Sequence, residues 1–96
     1  MAPRVWVVED DVHNFELVDF LLSEAGFEIV QAATALELRA LLAVPTAPDL
    51  VLMDMQLPGA TGLDLVAELR ASPQHQGAVV VALTAQAMRG DRERFL

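Results

Sequence analysis

Three apolar runs in the sequence each lead straight into a reactive side chain. Glu9-Asp10-Asp11 follows Val5-Trp6-Val7-Val8, Asp54 follows Leu50-Val51-Leu52-Met53, and Thr84 follows Ala78-Val79-Val80-Val81-Ala82-Leu83. Short apolar runs without alternation read as strands buried on both faces, the kind found in parallel sheets. In such sheets ligands bind at the carboxyl ends of the strands. Two acids from the first run's end and Asp54 from a neighbouring end would therefore converge. Bare carboxylates in that position repel, and one is driven to hold a proton. A Mg²⁺ or Mn²⁺ relieves the repulsion, because hard cations take oxygen ligands and keep several waters, leaving positions for phosphate oxygens. One carboxylate free to attack phosphorus in line can become an acyl phosphate, with the metal stabilising the charge on the transferring group. Thr84 is placed to donate its hydroxyl to a phosphate oxygen. Each acid alone has a simpler use: Asp54 as a turn former bonding backbone amides, Asp10 or Asp11 as a helix N-cap. Three acids at converging strand ends weigh against that use for all of them.

The elements that must position these groups are legible in order. Arg4-Val5-Trp6-Val7-Val8 is the first strand. Over residues 12–25, Phe15, Val18, Leu22 and Ala25 fall at helical spacing and Gly26 suits the C′ position. Phe27-Glu28-Ile29-Val30-Gln31 partly alternates, as an edge strand does. Thr34-Ala35-Leu36-Glu37 has the form of a capping box, and Leu38, Leu41 and Leu42 give the helix after it a buried face. Residues 44–48 form a loop. The central strand over 49–53 is followed by a loop over 54–61 that turns at Pro58-Gly59. Thr61 is an N-cap for a third helix with Asp64 three residues on and Leu65, Val66 and Leu69 as its inner stripe. Residues 72–77 are a polar loop, residues 78–83 a fourth strand, and 87–96 a helix despite Gly90, which costs about 1 kcal/mol against Ala. Alternating strands and helices argue an α/β parallel sheet with helices on both faces. Right-handed crossovers then put every strand's carboxyl end along one edge. The uniformly apolar fourth strand should lie inside the sheet, since a bare edge of that kind promotes aggregation. One more strand is therefore expected, from the rest of a longer domain or from another chain by dimer pairing or strand exchange at that edge.

Composition narrows the function. The chain has 96 residues, of which 54% are hydrophobic, enough for one packed domain. It has no cysteine, which excludes a disulfide framework, a thiolate metal site and a Cys nucleophile, and suits a reducing cytoplasm. No apolar run approaches the roughly 20 residues of a membrane span, and Met1-Ala2-Pro3-Arg4 leads at once into a strand rather than a signal peptide. The net charge is −8 and all 6 cations are arginines. Such a chain is a poor candidate for direct nucleic-acid binding, which rests on neutralising phosphates.

Val7-Val8-Glu9-Asp10-Asp11, the run Leu52-Met53-Asp54-Met55-Gln56-Leu57-Pro58-Gly59-Ala60-Thr61-Gly62, and Ala82-Leu83-Thr84-Ala85 together resemble the receiver domain of two-component response regulators. The resemblance runs in register over the whole chain. It implies a flavodoxin-like doubly wound sheet with strand order 2-1-3-4-5. It also implies that Asp54 is the phosphoacceptor, taking phosphoryl from a histidine kinase or histidine phosphotransfer protein and altering the binding of a downstream partner. Glu9 and Asp10 match the family's metal-binding pair, with Asp54 and the backbone carbonyl of Gln56 completing the protein ligands for Mg²⁺ or Mn²⁺. Asp11 becomes a bystander or cap, Thr84 the switch hydroxyl, Ala85 the small residue that admits phosphate, and Gln56 and Gln86 the positions that tune dephosphorylation. On this reading the domain is a signalling phosphoacceptor rather than an enzyme. The fifth strand with its Lys-Pro motif, the aromatic before it and the fifth helix of the family pattern are absent from the sequence. The resemblance thus implies a receiver over residues 1–96 that is incomplete at its C-terminal side, without the lysine that pairs with the phosphoryl group. The Gln56 motif and Gln86-Ala87-Met88 are similar to those of DivK-like single-domain and hybrid-kinase receivers.

Other residues have plainer expectations. His13 and His75 lie in or beside loops, Met53 and Met55 pack, Trp6 is core, and Arg89, Arg92 and Arg94 form a solvated helix face. Two other functions compete. A pseudo-receiver would keep the fold as a binding module without phosphorylation. A haloacid-dehalogenase-type phosphohydrolase would want Asp-x-Asp at the first strand end, where this chain has Glu9-Asp10-Asp11. Flavin binding is disfavoured because three acids would repel the cofactor phosphate.

Overall fold

Val5, Trp6, Val7 and Val8 offer no polar side chain to either face of their strand, and that strand is interior. The computed structural model describes residues 2–44, 46–57 and 60–83. The elements are β1 (Arg4–Val8), α1 (Val12–Glu24), β2 (Glu28–Ala32), α2 (Ala35–Leu42), β3 (Leu50–Asp54), β4 (Gln56–Leu57), β5 (Ala60–Thr61), α3 (Gly62–Ala71) and β6 (Val79–Leu83). The main sheet has the order β2-β1-β3-β6, with each neighbouring pair parallel. This is the flavodoxin-like α/β arrangement: β6 is the fourth long strand, and the order 2-1-3-4 follows for the four that are described. All four carboxyl ends lie at one edge.

Alternation along β1 and β3 divides the core between two faces. Trp6, Val8, Val51 and Met53 pack with Ala35 and Leu38 of α2 and with Leu65 and Leu69 of α3. Val5 and Val7 pack with Val18, Phe15 and Leu22 of α1. β2 is the edge strand that its sequence implies, with Glu28 and Gln31 exposed.

The helix ends follow from their caps. Asp11 accepts from the Asn14 amide at 2.9 Å and starts α1. Thr34 accepts from Glu37 at 3.1 Å, and Glu37 accepts in return from Ala33 at 2.8 Å, one residue earlier than the capping-box pattern implies. Thr61 accepts from Asp64 at 3.2 Å and starts α3. Gly26, with φ of 93°, takes the left-handed turn after α1 that a β carbon would oppose.

One expectation changes, and two are filled in. Residues 54–61 are not simply a loop: β4 and β5 pair antiparallel, Gln56 with Thr61 and Leu57 with Ala60. Two-residue strands are too short to leave a period in the sequence. His75 does lie in a turn, but its ring is buried at 1% exposure. It stands 5.2 Å from Trp6, with Nδ1 2.9 Å from the Ser72 hydroxyl. The Arg70 guanidinium closes that turn by donating to the carbonyls of Gln76 and Ala78 at 2.8 and 2.7 Å. β6 pairs with β3 alone among the described strands, and Val79 and Val81 stay 58% and 45% exposed. Its apolar run predicts a neighbour on both sides, and the second neighbour is not among the described residues. The helix expected over 87–96 and the turn at Pro58-Gly59 also lie outside them.

Leu38 is fully buried between α2 and the sheet. Leu38→Ala should cost about 2–5 kcal/mol, measured by urea unfolding. Truncating Arg39, which pairs with Glu68 across the exposed faces of α2 and α3, should cost less, because solvent screens such pairs.

Candidate functional site

The parallel register sets the site. Val8 lies opposite Met53, so the next residue of each strand, Glu9 and Asp54, reaches the same edge side by side. The Glu9 amide donates to the Ala32 carbonyl at 3.0 Å and carries the β1–β2 pairing one residue past the strand. The chain then bends into α1, which brings Asp10 over the edge. Glu9, Asp10 and Asp54 each offer a carboxylate oxygen, and these atoms lie within 4.8 Å of one another.

The three differ in surroundings. Glu9 is 3% exposed, a carboxyl group packed against the core. Asp54 is half-buried and Asp10 exposed. Burial above all, then a hydrogen bond and charge from Asp54 and charge from Asp10, push the Glu9 carboxyl up to about 7; the Asp11 amide on its Oε2 at 3.1 Å opposes the rise. Crowding of acids in this way favours the protonated form of the most buried one.

The donor set fits a small hard cation. Mg²⁺ holds its oxygen ligands at about 2.1 Å, so these three oxygens, already within 4.8 Å of one another, would close further around one ion. All donors are oxygen, the preference of Mg²⁺ and Mn²⁺. The simpler use, helix capping, falls to Asp11, which leaves Glu9 and Asp10 without that role.

The remaining sequence candidates are placed as follows. Gln56 lies in β4, its backbone paired with Thr61. Leu83 pairs with Asp54 at the end of β6. Thr84, Ala85 and Gln86 follow it outside the described residues. His13 is exposed in the first turn of α1 and is not in the acidic cluster.

Sequence reading missed the residues that hold Asp54 from behind. The Met55 amide donates to the Leu83 carbonyl at 3.4 Å, and the Gly62 amide donates to the Met55 carbonyl at 3.1 Å. One signal was available: a glycine directly after the Thr61 cap, inside the helix's first turn where propensity disfavours it.

A family described as the response regulator receiver domain matches residues 5–96. The polar-differentiation response regulator DivK of Brucella ovis is 38% identical over 95 residues, covering 99% of this chain and 76% of that protein. The receiver domain of a sensor histidine kinase from Pseudomonas aeruginosa, with a magnesium ion coordinated in its active-site cleft, superimposes with a TM-score of 0.80 at 29% identity, covering 97% of this chain and 75% of that one. The response regulator TrrA of Thermotoga maritima, in complex with Mg²⁺ and BeF, gives a TM-score of 0.76 at 31% identity, covering 93% and 75%.

The raised Glu9 pKa has a pH consequence with a definite sign. Its stabilisation is complete below the ordinary value of 4.5 and is lost as pH rises through about 7. In chelator, denaturation midpoints measured from about pH 5 to about pH 8 should fall, and Glu9→Gln should flatten that fall.

Proposed function

This chain belongs to the family of response regulator receiver domains of two-component signalling, and on that premise we propose that Asp54 accepts a phosphoryl group and thereby switches the binding of a partner. The observation that carries the proposal is the convergence of Glu9, Asp10 and Asp54 within 4.8 Å at one sheet edge.

The donor is a phosphohistidine on a histidine kinase or histidine phosphotransfer protein. An Asp54 carboxylate oxygen attacks phosphorus in line. The phosphorus–nitrogen bond breaks, its electron pair stays on the imidazole nitrogen, and that nitrogen takes up a proton. The product is an acyl phosphate on Asp54, which water later hydrolyses. Glu9, Asp10, Asp54 and the backbone carbonyl of Gln56 would hold Mg²⁺, or Mn²⁺ in its place. When bound, the ion supplies positive charge against the oxygens of the transferring group. Glu9 and Asp10 keep Asp54 and the incoming phosphate tolerable at one edge, because with the ion bound Glu9 no longer favours its protonated form. Thr84, the residue after Leu83, would donate its hydroxyl to a phosphoryl oxygen and carry the change to β6.

The domain acts as a stoichiometric switch in the cytoplasm rather than as a turnover enzyme. No helix among the described residues is long and apolar enough to cross a membrane. An isolated aspartate at the end of β3, with the paired acids directly after β1, fits this chemistry better than a phosphohydrolase led by an aspartate of the first strand.

Incubating the protein with Mg²⁺ and acetyl phosphate or phosphoramidate should add the mass of one phosphoryl group, labile to hydroxylamine. Asp54→Ala should take up none, and chelation should slow uptake by at least about tenfold, equivalent to about 1.4 kcal/mol in the barrier. A phosphoryl label that persists in Asp54→Ala would overturn the assignment.

A further inference from the structure

Gly62 is the first residue of α3, and its backbone does not explain why it is glycine. Among the described residues only Gly26 has a positive φ, so Gly62 adopts a conformation open to any residue. In a helix a glycine is disfavoured against Ala. What the position requires is the absence of a side chain. A β carbon at Gly62 would lie 2.5 Å from Met55 Sδ, 2.7 Å from Met55 Cα and 3.0 Å from Met55 Cε. The thioether could turn aside. The Cα could not, because it belongs to the backbone between Asp54 and Gln56.

Met55 is held from two directions by its backbone. Its amide donates to Leu83 at the end of β6, and its carbonyl accepts from Gly62 at the start of α3. Beyond Gln56, the β4–β5 pairing returns the chain to Thr61, directly before Gly62. The chain leaving Asp54 is thus closed into a short loop whose two ends meet where Gly62 lies on Met55.

We infer that Gly62 is a positioning residue for the acidic site: its missing side chain lets α3 seat directly on the Met55 backbone, which fixes the aim of the Asp54 carboxylate and the Gln56 carbonyl. The inference rests on the reading of those two groups as metal ligands. Gly62 has no side chain to offer an ion or a phosphate, and its role is one of placement. A β carbon there moves the Met55 backbone, and with it two of the four protein ligands, while Glu9 and Asp10, which follow β1, stay in place. Displacing groups that orient metal ligands commonly costs 10–100-fold in affinity.

Calorimetric titration with Mg²⁺ alone tests this. Gly62→Ala should bind Mg²⁺ at least about tenfold more weakly than the unsubstituted protein. Leu38→Ala, destabilised in the core away from the site, should bind within about twofold at a temperature where both are folded, so a loss from general loosening is separable. Adding Met55→Ala to Gly62→Ala removes the thioether but leaves the clash with the Met55 backbone, and it should not restore affinity. Restoration would assign the clash to the side chain and overturn the backbone role. A second measurement needs no substitution: Mg²⁺ should slow amide exchange at Met55 and Gly62 in the unsubstituted protein, and unchanged exchange there would overturn the inference even if Gly62→Ala does not fold. Mg²⁺ binding that is equal in Gly62→Ala and the unsubstituted protein would sink the positioning role alone. No Mg²⁺ binding by the unsubstituted protein would sink the functional reading and this role together.

Discussion

Parallel pairing of β1 with β3 brings two buried strands to one edge in step, and it forces Glu9 and Asp54 to leave the sheet as neighbours. Like charges at that separation are costly, and the cost rises as Glu9 is buried against the core. The pairing itself is fixed by hydrophobic burial on both faces. A slip of one residue would turn Trp6, Val8, Val51 and Met53 away from α2 and α3. The core therefore does not tolerate relief of the acidic repulsion by sliding a strand. A proton on the buried Glu9, whose carboxyl is pushed up chiefly by burial, is one relief, and a bound cation is another.

A strained electrostatic site needs a stiff frame if it is to respond to one added group and not simply relax. The frame is mostly backbone. Glu9 is tied to β2 through Ala32, and Met55 is tied to β6 through Leu83 and to α3 through Gly62. These bonds are made by backbone groups and not by the carboxylate oxygens. They also connect the strand that bears Asp54 to Leu83, directly before the proposed switch hydroxyl. A change at Asp54 thus has a short covalent and hydrogen-bonded route to β6 that involves no side-chain packing.

Much of this was legible in residue types. The unbroken apolar runs ending in Glu9-Asp10-Asp11 and Asp54 implied buried parallel strands with acids at their tips, and Thr34, Thr61 and Gly26 marked helix ends because caps and left-handed turns restrict residue choice. The β4–β5 hairpin was not legible, since pairs of two residues have no periodicity. The burial of His75 was not legible either: the sequence places it in or beside a loop, and only the fold supplies Trp6 as a surface and Ser72 as a partner.

The sequence by itself determined which residues could be strands, which carboxylates stood at their ends and which element followed which. Those properties depend on neighbours within a few positions along the chain. Only the tertiary structure decided that Glu9, Asp10 and Asp54 share one 4.8 Å cluster and that Gly62 lies against Met55. Each of these is a distance between chain segments, set by strand register and helix packing, and no local pattern of residues encodes it.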